Sequence, residues 1–268
     1  MTLPINFLTR ISICFFIAMT VVDLSIAKGQ SAEDTIMTKL VALRDDFIAK
    51  INALGLRPRL KAPQIVADNP RSFGNYDDST NILHTGDWNT LPANLQAIFN
   101  KAATEIGNGM SGQRFFELGT HQWVFIHELG HWWRACQHQK AEPYENEMAA
   151  NRIATAYWRE QDSAFLAFMV KRFQFRVNNT PSPVPAGQSK EKYLNDNYEK
   201  LPGASAYTWY QAIMIVDADK ERPVVTFKTA IERAGKGSDD QNTSQAIACP
   251  SSPLSPSRAT AGRRAYRL

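Results

Sequence analysis

Residues 127–131 read His-Glu-Leu-Gly-His, inside the proline-free and largely apolar run HQWVFIHELGHWWRA. Such a run folds as a buried helix, and on a helix His127 and His131 stand one turn apart on a single face. Two imidazoles so placed can reach one divalent cation at about 2.0–2.1 Å, while Glu128 projects beside the ion rather than onto it. This constrains the fold strongly, because a hydrolytic metal site takes three protein ligands and keeps one position for water, so another element must deliver the third. Gly130 is unfavourable in a helix interior by roughly 0.8–1.0 kcal/mol relative to Ala, which points to close approach by a second backbone.

The stretch ENEMAANRIA at 145–154 has a helical pattern and supplies that ligand. Glu147 and Asn151 are one turn apart and share a face, so Glu147 can ligate while the Asn151 amide oxygen accepts the free ring N–H of a ligand histidine, fixing its tautomer and orientation. Ala149 and Ala150 are small, as tight packing on the first helix requires. Glu145 points about 200° away from Glu147 and is the weaker candidate. Glu128 is placed to take a proton from metal-activated water, whose pKa falls toward roughly 7, and to pass it to a leaving group. A third histidine ligand of the HExxHxxGxxH kind is excluded because that position is Gln137, and Cys136-Gln137-His138 is ordinary sequence.

HELGH followed after about fifteen residues by E-x-x-A-N on a helix resembles the gluzincin metallopeptidases, the His₂Glu class. It is especially similar to compact members such as the membrane-associated CAAX-type proteases and the minigluzincins. The resemblance implies a zincin-like fold, one Zn²⁺ per chain on His127, His131 and Glu147, Glu128 as general base and Asn151 behind a ligand histidine. The commoner residue at that last position is Asp, and Asn raises histidine basicity less. The family often places a Tyr or His from the C-terminal half near the metal to stabilise an oxyanion; Tyr207 and Tyr210 are the candidates, Tyr210 the one provisionally assigned, with an aromatic core cluster as the alternative. It also implies an edge strand upstream of the metal helix that pairs with substrate backbone, which falls on Ile82-Leu83-His84-Thr85. His84 itself is expected to face solvent.

The remaining sequence sets boundaries. Arg10, an apolar run from Ile11 to Val22, and the small-x-small tripeptide Ser25-Ile26-Ala27 have the layout of a secretory signal peptide over 1–27. The run is short of the roughly 20 residues a membrane span needs, and no other run is longer, so the expected product is secreted or periplasmic without a stable span. Cys14 would leave with the signal, and Cys136 and Cys249 remain for one disulfide or two thiols, a choice spacing does not make. The formal charge of +4 is carried by Arg258, Arg263, Arg264 and Arg267, in a Ser/Pro/Ala-rich segment over 237–268 expected to be a disordered tail. The body is near neutral and carries no sign of a nucleic-acid groove.

Removal of the signal leaves roughly 240 residues, and between signal and tail the fold class expected is α+β and mostly helical. Ile36, Leu40, Phe47, Ile51 and Leu54 mark one face of a helix opened by Ser31, Glu33 and Asp34. Prolines 58, 63 and 70 break the pattern, a short strand at 82–85 and a helix on Leu95, Ile98, Phe99, Ala102 and Ile106 follow, and Gly107-Asn108-Gly109 precedes the metal helix. A catalytic part over 28–178, containing a small upstream sheet, the metal helix and the third-ligand helix, is expected to join a helical C-terminal part over 190–236 through a Pro/Ser linker at 179–189, with the cleft between them. The function implied is an exported zinc metallopeptidase acting on peptide or protein; a zinc amidase on cell-wall material and a non-catalytic envelope binding or chaperone-like protein stay open, as does the oligomeric state.

Overall fold

Apolar side chains at helical spacing place α1 (Ala32–Ala53) against the core through Leu40, Phe47 and Ile51, with Ile36 and Leu54 packed alongside. The structure, a computed structural model, describes residues 32–70, 72–201 and 203–236. The signal-peptide segment 1–27, Cys14, Ser31, Cys249 and the basic tail 237–268 lie outside the described residues. The Phe47 ring meets Phe227 and Tyr157 at centroid distances of 5.5 and 5.8 Å. The Tyr157 hydroxyl donates to Asp46 Oδ2 at 2.6 Å. The proline-containing connector is tied to the helix by Arg44 Nη1, which donates to the Pro63 carbonyl at 3.0 Å.

Three short strands follow: β1 (Gln64–Ala67), β2 (Gly74–Asp77) and β3 (Ile82–Thr85). Their order is β1-β3-β2, with β1 parallel to β3 and β2 antiparallel to it in the register Gly74↔Thr85 and Asp77↔Ile82. The strand expected at 82–85 is present, but its place as the edge strand is corrected: β3 is central, and the edge facing the helix that carries His127 and His131 is β2. Leu83 explains the position, being fully buried, whereas Gly74-Asn75-Tyr76-Asp77 lacks the β-branched residues that signal a strand. The β2–β3 turn is closed by Asp77 Oδ1, which accepts from the backbone N–H and hydroxyl of Ser79 at 2.9 and 2.7 Å.

Helix α2 (Ala93–Ile106) ends where Gly107 takes a left-handed conformation, φ 72°, that glycine adopts without a Cβ clash. Ile98 on this helix is 60 % exposed, and Ala103 is buried in its stead. A helical rod then begins at α3 (Gly112–Glu117), capped by Ser111, whose hydroxyl accepts from the Arg114 N–H at 3.1 Å. It widens into a π-helical stretch (Leu118–Val124) and continues as α4 (Phe125–Cys136). His121 anchors the π stretch: its ring Nε2 donates to the Gly86 carbonyl at 2.7 Å, and burial lowers its pKa, keeping the ring neutral. Cys136 is a buried thiol at the end of α4.

Helix α5 (Pro143–Gln161) starts with proline at its first position, where no N–H is needed, and crosses α4. The expected close approach is at Gly130: a Cβ there would lie 3.0 Å from the Ala150 Cα and 3.3 Å from its Cβ. Helix α6 (Ser163–Asn179), α7 (Lys190–Asn197), a 3₁₀ turn (Tyr198–Lys200), α8 (Gly203–Lys220) and α9 (Phe227–Ala234) complete a mostly helical α+β molecule. Segment 179–189 does not divide the core. Ile215 of α8 and Phe227, Ala230, Ile231 and Ala234 of α9 belong to the same apolar cluster as Phe47 and Leu129. A second cluster joins Met148 to Leu194, Trp209, Tyr210 and Met214. Among the described residues no helix is long and apolar enough to cross a membrane.

Adding volume at the helix crossing should separate α4 from α5. Gly130→Val is expected to lower unfolding free energy by about 1–3 kcal/mol, read from the urea midpoint at unchanged slope.

Candidate metal centre

The helix period that lines up His127 and His131 brings their rings to a centroid distance of 4.7 Å, with the two Nε2 atoms 3.1 Å apart. From α5, Glu147 Oε2 lies 3.3 Å from His127 Nε2 and 3.8 Å from His131 Nε2. Ligands at 2.0–2.1 Å around a tetrahedral ion are separated by about 3.3 Å, so these three atoms outline one face of a zinc-sized tetrahedron. Two imidazoles and a carboxylate are also the donor set such an ion takes in hydrolytic sites. Glu145 is exposed and turned away, 3.6 Å from Arg152. His138 is exposed beyond the end of α4, with φ 53°. His84 Nδ1 meets Asp68 Oδ2 at 2.7 Å, in partly exposed surroundings outside the cleft.

A directed chain of amides supports the cluster. His127 Nδ1 donates to Asn151 Oδ1 at 3.1 Å, which fixes the ring with its Nε2 toward Glu147. Asn151 Nδ2 donates to Gln211 Oε1 at 3.0 Å, and Gln211 Nε2 donates to Glu147 Oε2 at 2.7 Å and to the Tyr207 hydroxyl oxygen at 2.9 Å. The Tyr198 hydroxyl donates to the other oxygen, Glu147 Oε1, at 2.8 Å. An aspartate at 151 would have no N–H to offer Gln211, so the neutral amide suits this network. Amide orientations follow from the pattern of donors and acceptors, and only one assignment satisfies each link.

Glu128 faces the same cleft, of about 680 Å³, from α4. A Cβ on Gly74 would sit 2.3 Å from Val124 Cγ1, so glycine lets β2 press onto the rod, and the Tyr76 N–H then donates to Glu128 Oε2 at 2.9 Å. Opposite β2, the wall is Tyr198, Tyr207 and Gln211. No family model, curated protein or solved structure matches this chain.

Of the two tyrosines singled out in the sequence, Tyr207 lines the cleft, and the assignment of Tyr210 is corrected. Tyr210 is fully buried in the second apolar cluster, and its hydroxyl donates to the Lys190 carbonyl at 3.1 Å. Three positions along a helix turn a side chain by about 300°, so Tyr207 and Tyr210 diverge, whereas Tyr207 and Gln211, one turn apart, converge. That i, i+4 pairing was the available signal for Gln211. Tyr198 carried none, since it sits in a 3₁₀ turn with no periodicity.

Burial opposes charge at Glu147, but hydrogen bonds from and proximity to His127 and His131 outweigh it and hold the carboxyl well below its ordinary 4.5. Burial would likewise lower His131, yet Glu147 and Glu128 raise it above 6.5. Desolvation, then the Glu147 charge, pushes Tyr198 and Tyr207 upward, so both phenols stay protonated.

In metal-free protein the depressed Glu147 stabilises fully above its unfolded value of 4.5 and ceases to do so as pH falls through its folded value. The raised His131 stabilises fully below 6.5 and ceases to do so as pH rises through its own. Their joint contribution should therefore peak between pH 4.5 and 6.5, and Glu147→Gln should flatten it in a chelator-treated melting series. Asn151→Leu and Gln211→Leu are each expected to lower zinc affinity by about 10–100-fold, with a combined loss smaller than the product because they act through one chain of bonds. Chelator competition measures it.

Proposed function

We propose that this chain is an exported zinc-dependent metallopeptidase of the gluzincin type, with a zincin-like fold, that hydrolyses peptide bonds. The observation that carries the proposal is the near-tetrahedral convergence of His127 Nε2, His131 Nε2 and Glu147 Oε2 beside a carboxylate, Glu128, that is held in place without being a ligand. Export rests on the signal-like sequence of 1–27.

Zinc held by His127, His131 and Glu147 would supply Lewis acidity, polarising a carbonyl and easing the ionisation of water. Glu128, oriented by the Tyr76 N–H, takes the proton of the attacking water and delivers it to the departing amine. Tyr207, protonated and lining the cleft, is the candidate donor to the oxygen on which negative charge develops. Tyr198 and Gln211 keep the Glu147 carboxylate in one orientation. The outer edge of β2, with the Tyr76 backbone turned toward the cleft, can pair with an extended peptide. A substrate bound in that way is read through its main chain, which suits hydrolysis of unfolded protein better than of a folded one.

The wild-type protein and Glu128→Gln should each bind one zinc per chain by elemental analysis, and Glu147→Ala should not retain it. Against an unfolded protein substrate, Glu128→Gln should lose about 10²–10⁴-fold in kcat. Tyr207→Phe should lower kcat with little change in KM, while Tyr210→Phe leaves kcat unaltered. Undiminished turnover by Glu128→Gln would sink the proposal. Hydrolysis of peptidoglycan but not of protein would replace it with the amidase alternative.

A further inference from the structure

Arg134 lies seven residues after His127 and three after His131, on the same face of α4, and it lines the same cleft. The side chain is 5 % exposed, yet its Nε has no hydrogen-bond partner, and among the described residues its guanidinium makes no ion pair. Glu145, the acid that acts on it across space, is exposed on α5 and paired with Arg152. The other charged groups on the cleft wall are Lys140, Asp78, Glu128 and Glu147, and Glu147 already belongs to the metal cluster. Arg134, Gln139, Lys140 and Asn146 all line the cleft and all carry donors.

A guanidinium stays charged when buried, and a buried charge without a counter-ion is strongly unfavourable, so its proper partner arrives from outside. Its planar fork matches a carboxylate. We propose that Arg134 is a recognition residue for a substrate carboxylate, either the free C-terminus or an acidic side chain of a peptide. A rise of 1.5 Å per residue puts Arg134 about 5 Å beyond His131 and 10 Å beyond His127 along the helix. At about 3.3–3.6 Å per extended residue, that carboxylate lies within about one to three residues of the bond cleaved. The inference rests on the peptidase reading of the same cleft but is measured by binding, so the two can fail separately.

The test uses the full-length chain, zinc-loaded and carrying Glu128→Gln to stop turnover, in calorimetric titrations with three probes: N-acetyl-trialanine, its C-terminal amide, and N-acetyl-Ala-Glu-Ala amide. One of the two carboxylate probes should bind roughly tenfold or more tightly than the neutral amide, and which one does so identifies the source of the carboxylate. Adding Arg134→Gln should abolish the preference at unchanged zinc content, and Arg134→Lys should restore part of it. Equal binding of all three probes, binding of none, or a preference that survives Arg134→Gln would overturn the proposal. Should Arg134→Gln fail to fold, the comparison of acid with amide on the Arg134 protein and on Arg134→Lys still decides it. A carboxylate preference in a protein that never hydrolyses peptides would leave this inference standing and remove the peptidase reading.

Discussion

The close crossing of α4 and α5 at Gly130 and Ala150 is the contact on which the rest of the molecule depends. Glycine on one helix and alanine on the other let the backbones approach until a second carboxylate reaches two imidazoles fixed by the helix period. A larger side chain at either position would keep the helices apart, and His127 and His131 would lose Glu147. The intrinsic penalty of a mid-helix glycine is small beside what that approach permits. The same logic recurs at Gly74, where the absent Cβ lets β2 rest on the π-helical segment and hand its Tyr76 N–H to Glu128.

Buried charge then has to be managed. Glu147, His127 and Glu128 are all nearly removed from solvent, and a buried carboxylate is costly unless hydrogen-bond donors surround it. Tyr198 and Gln211 serve Glu147, and the Tyr76 backbone serves Glu128. Asn151 and Gln211 relay direction as well as bonds, since each amide offers one acceptor and one donor in series between a ring N–H and a carboxylate. Arg134 is the exception, a buried cation in the same cleft whose Nε has no partner among the described residues.

Much of the candidate site was legible along the chain because it sits on two helices whose period is known. His127 and His131 had to share a face, and so did Glu147 and Asn151; the contact of Asn151 with His127 follows once the helices cross. The helices carrying Leu40, Phe47 and Ile51, and the break at Gly107, were equally readable. Strand β2 was not, because four residues with a glycine, an asparagine and an aspartate carry no β signal, and their strand identity comes from pairing with β3. Nor was the choice between Tyr207 and Tyr210, since both are aromatic and lie on one helix, and only the packing of Tyr210 against Met148 and Leu194 decides which turns inward to the core.

Local period and side-chain chemistry, which depend on neighbours in sequence, thus determined a mostly helical chain, two imidazoles and a carboxylate on one helix, and an acid with an amide on the next. Tertiary structure decided which strand forms the cleft edge, that the segment at 179–189 joins rather than separates, and that Tyr198, Tyr207, Gln211 and Arg134 share a cavity with His127, His131 and Glu147. Those groups come from elements remote in sequence. Their meeting is set by how apolar faces bury and how close two backbones can come, and neither quantity is written in the spacing of any one segment.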